Sequence, residues 1–261
     1  MNRKCRIIAV ANEKGGVGKT VTVINLGAAL ARTGKKVLIV DMDPQFNATQ
    51  GLGVTVGEGM LTTYDLLQNG KPSATMAVIH TGWEGLDLIP AHVDLAGAEL
   101  ELVEEEGREN RLKEGLAELN GAYDFILLDT PPTLSLLTVN VFAYADEVVV
   151  PCQTQPYAYE ALADLFETIS AIREDINPAL SITGIVATFY DQRTRISRKI
   201  AERLKETPPY QALMFDTVIR NNVTIAESAD VRKPVVFYRP SSIGSQDYHC
   251  LAEEILKKTR A

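Results

Sequence analysis

Residues 13–20 read Glu-Lys-Gly-Gly-Val-Gly-Lys-Thr, directly after an apolar run at 7–11 and at the opening of a helical pattern. Gly15, Gly16 and Gly18 let the backbone turn so that successive N–H groups converge on phosphate oxygens. The helix starting at Thr20 adds the positive end of its dipole. Lys19 supplies a point charge for β- and γ-phosphates, and the Thr20 hydroxyl suits a magnesium ion. Lys14, Gly15, Gly16, Val17, Gly18, Lys19, Thr20 and Val21 therefore make a candidate cradle for a nucleoside triphosphate. A dinucleotide-binding turn is excluded: a GxGxxG starting at Gly16 needs glycine where the chain has Val21. No NKxD-type guanine reader occurs, so adenine is the expected base.

Two further segments place carboxylates at strand ends. VLIV (37–40) runs into Asp41-Met42-Asp43-Pro44-Gln45, and FILL (125–128) into Asp129-Thr130-Pro131-Pro132. Ligands of open α/β sheets sit at the carboxyl ends of strands. Asp41 and Asp43 are thus candidates beside a γ-phosphate and its magnesium, with capping of the following segment as the plainer use of two acids. Asp129 fits the apolar-strand-plus-acid pattern that holds magnesium directly or through water. The metal candidates are accordingly Thr20, Asp41 and Asp129. An anion so near triphosphate oxygens needs cations beside it, so Lys14, Lys19 and Asp43 are expected together.

The elements that must position these groups follow from hydrophobic patterning. IIAVA (7–11), VLIV, FILL, VVV (148–150) and IVATF (185–189) are continuously apolar, as strands covered on both faces are. Helical patterns lie between them: one from Thr20 to a C-cap at Gly34, then 93–106, 108–119, 134–145, 157–174, 195–206 and 243–258. Such alternation predicts an α/β fold with a mostly parallel twisted sheet and helices on both faces. One domain over 1–261 is expected, for no linker or repeat interrupts the pattern.

Composition narrows the partners. The chain of 261 residues has formal charge −8, which excludes a uniformly basic nucleic-acid coater. Residues 191–261 nevertheless carry 13 Lys and Arg against 9 Asp and Glu, so any polyanion contact belongs in that last quarter. There lie Arg193, Arg195, Arg198, Lys199 and, downstream, Arg220; Arg195, Arg198 and Lys199 share one helix face. The alternative for these is a solvated surface. Cys5, Cys152 and Cys250 form no CxxC, and His80, His92 and His249 no ligand spacing, so a disulfide framework or zinc site is not expected. No run is long enough to span a membrane, and the reading is a cytoplasmic protein. The final helix, with Tyr248, Leu251, Ala252, Ile255 and Leu256 on one stripe and Lys257, Lys258 and Arg260 at its end, is expected to dock on the core rather than on lipid. Trp83 has no evident role in the sequence.

Lys14 makes the phosphate loop unusual, since one lysine suffices for the β- and γ-phosphates. The string KGGVGKT resembles the deviant Walker A motif of the ParA/MinD family of ATPases, in particular its small Soj-like ParA branch. DMDPQFNATQGLG, QPYAYEAL (155–162), DQRT (191–194) and AESADVRKP (226–234) resemble that branch as well, so the likeness runs nearly the whole chain. The resemblance implies a P-loop fold, ATP with Mg2+, and a homodimer formed on ATP binding in which Lys14 reaches the partner's nucleotide. It implies that Asp43 positions the attacking water and that Asp41 helps couple nucleotide state to the dimer. It further implies non-specific double-stranded DNA binding through Arg193 and its neighbours, nucleoid association, and a ParB-like centromere-binding activator. Partitioning of chromosomes or plasmids is the implied task, with positioning of a protein cargo or MinD-like membrane patterning as rivals. An N-terminal helix-turn-helix domain and stable membrane association are not expected. The chain departs from the family's habit at Val21, Phe46, Gln155 and Thr224, where Thr, Gly, Glu and Arg are common.

Overall fold

The computed structural model describes residues 5–68 and 70–258. Eight strands form one sheet: β1 (Arg6–Val10), β2 (Val37–Asp41), β3 (Ile79–His80), β4 (Leu86–Ile89), β5 (Phe125–Asp129), β6 (Glu147–Gln153), β7 (Ser181–Tyr190) and β8 (Met214–Arg220). Their spatial order is β3-β4-β2-β5-β1-β6-β7-β8, and every pairing is parallel except β3 with β4. The chain therefore moves one way from β1 to β2 and β4, then returns through β5 to β6, β7 and β8. The carboxyl ends of β1, β2 and β5 meet at that reversal, the place where such sheets bind ligands.

Strand residues alternate between two apolar layers. Ile7, Ala9, Leu38, Val40, Ile126 and Leu128 face one, while Ile8, Val10, Val37, Ile39, Phe125 and Leu127 face the other. The first layer is closed by the helices Leu136–Tyr144 and Ala158–Asp175, through Val141, Phe142, Leu162, Leu165 and Ile169. The second is closed by Lys19–Arg32 and Ile243–Lys257, through Val23, Leu26, Leu30, Tyr248, Leu251 and Ile255. The sheet is thus covered on both faces, as the patterning predicts. The final helix does dock on the core; Arg260, read above as part of its basic end, lies outside the described residues. No helix among the described residues is long and apolar enough to cross a membrane.

Two expectations need correction. The helix read over 108–119 is three short pieces, Arg108–Asn110, Arg111–Gly115 and Ala117–Leu119. Gly115 sits where a Cβ would come within 2.7 Å of the Leu66 carbonyl, so the chain here is shaped by close backbone packing rather than by helical continuity. The pattern also missed β4 and β8, the first because Asp87 interrupts its apolar run and the second because it is a half-exposed edge strand.

Candidate nucleotide site

The loop after β1 is anchored from three neighbouring elements. Asn12 Nδ2 donates to the Pro151 carbonyl at 2.8 Å, Thr188 Oγ1 to the Val17 carbonyl at 2.8 Å, and Thr168 Oγ1 to Glu13 at 2.8 Å. Gly16 and Gly18 adopt φ of 74° and 91°, the left-handed conformation glycine takes without a steric cost. Helix Lys19–Arg32 then starts with no side-chain cap, so its first N–H groups are left to the loop's interior. A cavity of about 580 Å³ opens over this start, lined by Gly15, Gly18, Lys19, Thr20 and Asp43, with Arg232 and Lys233 among the residues opposite. A second cavity of about 220 Å³ adjoins it through Gly18, Val21 and Phe189 and continues to Asn222 and Tyr248. A triphosphate site with an apolar annex for a base has these proportions.

The acids sit beneath and beside that cavity. Asp41 and Asp129 are register partners across β2 and β5, so their carboxylates are neighbours at the sheet's end. Both are fully buried. Asp41 spends its oxygens locally: Oδ1 accepts from Asp43 N–H at 3.2 Å, and Oδ2 accepts from Thr49 N–H at 2.8 Å and Thr49 Oγ1 at 2.7 Å. Burial raises its pKa to about 6 against those hydrogen bonds. Asp41 thus ties together the loop from Asp43 to Thr49, and it is not among the residues that line the cavity.

Asp129 is the opposite case. Neither of its carboxylate oxygens makes a hydrogen bond of ordinary geometry among the described residues. Burial pushes its pKa well above the usual range, the Asp41 carboxylate adds to this, and the nearby Thr20 hydroxyl and Lys19 ammonium pull it back. Lys19 mirrors it: burial lowers its pKa, and Asp129 and Asp43 oppose the shift. Among the described residues its Nζ donates to the Lys14 carbonyl, at 3.3 Å. A buried carboxylate that faces only a hydroxyl and an ammonium, neither at full hydrogen-bonding geometry, fits a site completed by a dication and phosphate oxygens.

Asp43 is buried yet lines the cavity, and its Oδ1 accepts from Gln45 N–H at 2.9 Å. Lys19, Thr20, Asp43 and Asp129 are therefore brought together. Lys14 is half-buried at the rim, close enough to Cys152 to oppose the burial that pushes that thiol to about 12; its side chain does not line the cavity. Three residues nearby have no signal in the sequence: Thr49 bonds Asp41 and Ala91, Thr188 the phosphate loop at Val17, and Asn12 the strand residue Pro151. A fourth has one. Phe46, three residues after Asp43, has φ 45°, ψ 35°, a left-handed conformation that costs a Cβ-bearing residue about 1–2 kcal/mol and that glycine adopts freely.

The basic region divides. Arg195, Arg198 and Lys199 are exposed on the helix Arg195–Glu206 and carry no ion pair among the described residues, while Ser197, Ile200, Ala201 and Leu204 hold that helix to the body. Arg193 is bound to Asp191, through Nε at 3.0 Å and Nη2 at 2.9 Å, and Arg220 to buried Asp247, through Nε at 3.0 Å and Nη2 at 2.5 Å. Thr224 is buried, and its N–H donates to the cap residue Asn222.

This fold and site define a P-loop nucleotide-hydrolase architecture, and the comparisons with known proteins narrow it. A family model described as AAA domain matches residues 5–182. The chromosome partitioning protein ParA of Caulobacter vibrioides is 42% identical over 257 residues, covering 98% of this chain and 95% of that protein. The sporulation initiation inhibitor protein Soj of Bacillus subtilis is 42% identical over 250 residues, covering 96% and 98%. A crystal structure described as cobyrinic acid a,c-diamide synthase from Mycobacterium smegmatis with bound ADP and magnesium superposes with a TM-score of 0.84 at 35% identity, covering 97% of this chain and 94% of that one. The chain belongs to the ParA/MinD family of ATPases.

Proposed function

We propose that the chain is a Mg2+-dependent ATPase that closes into a dimer on ATP, binds duplex DNA without sequence preference in that state, and serves partition of chromosomes or plasmids. The observation that carries the reading is the unpaired, fully buried Asp129 beside Lys19 and Thr20 at the phosphate loop. The ADP and magnesium named for the Mycobacterium smegmatis structure support ATP and Mg2+ as the ligands here. No group of three or more His, Cys, Asp or Glu among the described residues is arranged to hold a metal. Thr20 and Asp129 are the residues that would hold a magnesium ion here, and the ion would supply neutralisation of charge on the transferred phosphoryl group.

The rest falls to the chain's own groups. Loop N–H groups and Lys19 bind the phosphates, and Asp43, at the cavity wall, orients a water toward the terminal phosphate. Lys14, at the rim and outside the cavity of its own subunit, is disposed to engage the nucleotide of a second copy. DNA is held by Arg195, Arg198 and Lys199, exposed cations of the helix Arg195–Glu206 with no ion pair among the described residues; Arg193 and Arg220 join only by exchanging a carboxylate for phosphate. Such contacts read phosphates, so binding is steeply salt-dependent. ATP drives DNA binding only through its differential affinity for the closed dimer. A ParB-like activator and a nucleoid location belong to the same reading, by analogy with the partition proteins it matches.

The test is binding of random-sequence duplex DNA at two salt concentrations, with ADP, ATP and a non-hydrolysable analogue, alongside light scattering. Binding with triphosphate alone, weakened by salt and lost in Arg195→Ala/Arg198→Ala/Lys199→Ala, supports the cycle. Equal DNA affinity in every nucleotide state, or none in any, overturns it. An ATP dimer that persists in Lys14→Ala removes that lysine from the interface.

A further inference from the structure

The segment carrying Asp43 reverses direction within a few residues, and the reversal passes through Phe46. Phe46 N–H donates to the Asp43 carbonyl at 2.7 Å, and its own carbonyl accepts from Gln50 N–H at 3.0 Å. Glycine would make both bonds equally well and without strain. A left-handed phenylalanine persists only where its surroundings over-determine it, and here they are identifiable. Gln45 and Asn47 line the nucleotide cavity, while Phe46 between them does not. Its ring turns the other way, packs on the apolar layer of that side and stacks on the His92 imidazole, with centroids 6.2 Å apart and planes 26° from parallel.

His92 lies just beyond β4, a strand the loop touches at a second point. Ala91 N–H donates to Thr49 Oγ1 at 3.0 Å, and Thr49 donates onward to Asp41. The loop is therefore held at its two ends by the Asp41 carboxylate and at its apex by the Phe46–His92 contact. Asp43 sits between these tethers, and the Gln45 N–H of the same turn fixes its Oδ1. Loss of the apex tether leaves every polar bond possible but removes what holds the turn in one place.

We infer that Phe46 is a positioning residue for Asp43: wedged between the core and His92, it fixes the turn that aims the Asp43 carboxylate at the nucleotide. The inference rests on the role proposed above for Asp43. Phe46→Gly tests it without threatening the fold, because glycine accepts the backbone conformation and only the wedge is removed.

Single-turnover ATP hydrolysis and nucleotide affinity would be measured for the full-length wild type, Phe46→Gly, His92→Ala, the double variant, Phe46→Tyr and Asp43→Ala, each with a thermal melt. The expected result is a rate about tenfold lower in Phe46→Gly with nucleotide affinity within about twofold, since the phosphate loop is untouched. Phe46→Tyr, which keeps the stacked ring, should hydrolyse within about threefold of wild type, and the double variant should be no slower than Phe46→Gly, as for two groups acting as one unit. An unchanged rate in Phe46→Gly, a loss confined to affinity, or losses that multiply in the double variant would overturn the inference. Asp43→Ala separates the two readings. If it abolishes hydrolysis while Phe46→Gly does not slow it, Phe46 alone is wrong; if Asp43→Ala turns over normally, the role of Asp43 fails and the inference with it.

Discussion

At the amino ends of β1 and β6, Arg6 Nε and Nη2 donate to Glu147 at 2.7 and 2.6 Å, and Arg6 Nη1 donates to the Ile255 carbonyl at 2.6 Å. Glu147 also accepts from Thr183 Oγ1 at 2.6 Å, so one cluster ties three strands and the last helix together. At the carboxyl end of the same sheet, Asp129 is equally buried but lacks any such donor, and burial holds Lys19 below the usual ammonium range. Both clusters bury charge. The first is complete in the free chain and locks the fold; the second is incomplete and is finished only by a ligand. What marks the functional end is therefore the unmet requirement for partners rather than the presence of charge, since structural ion pairs also bury it.

Substitutions at the two ends should diverge. Glu147→Ala leaves Arg6 without its partner and should lower stability by about 3–5 kcal/mol in denaturant unfolding, with nucleotide affinity unchanged. A variant with wild-type stability would mean that the cluster is merely decorative. Lys19→Ala should do the reverse, weakening nucleotide about 100-fold by calorimetry while leaving the ligand-free melt near wild type. Asp129→Asn gives the smallest and most telling effect. With Lys19 and Thr20 opposing the cost of its burial, replacing this carboxylate should leave the ligand-free protein within about 1 kcal/mol of wild type while erasing the extra stabilisation that magnesium adds to ATP over ATP with chelator. If Asp129→Asn destabilises the free protein as Glu147→Ala does, the distinction between the two ends collapses.

The sequence carries these two ends unequally. KGGVGKT is a local string whose chemistry is read without knowing the fold, and the strands behind it are continuous apolar runs because the sheet is covered on both faces. Asp41 and Asp129 are each visible at a strand end, but that one is satisfied by Thr49 and the other by nothing depends on a register between residues far apart in sequence. The basic stretch shows the same limit. Asp191, two residues before Arg193, is a partner the sequence displays, whereas Asp247 reaches Arg220 from 27 positions away. Trp83 is opaque in the sequence for the same reason: its ring stacks on Phe237, 4.7 Å between centroids, and clips the loop before β4 to a segment far along the chain. Phe46 shows the limit from the other side: the sequence displays a departure from a common glycine, but only the structure shows that the residue there takes a left-handed backbone, φ 45°.

The central place of β1 sets a timetable for the ribosome. This strand, the first to be made, pairs with Phe125–Asp129 on one side and with Glu147–Val149 on the other. At a synthesis rate of about 5–20 residues per second, roughly ten seconds pass between the exit of the phosphate loop and the arrival of its nearest neighbours. During that interval its glycines and lysines are attached to an apolar strand that lacks both of its sheet neighbours, so nucleotide cannot guide assembly from the start. The site can close only after β5 and β6 have been made, so the phosphate loop waits on strands more than a hundred residues downstream of it.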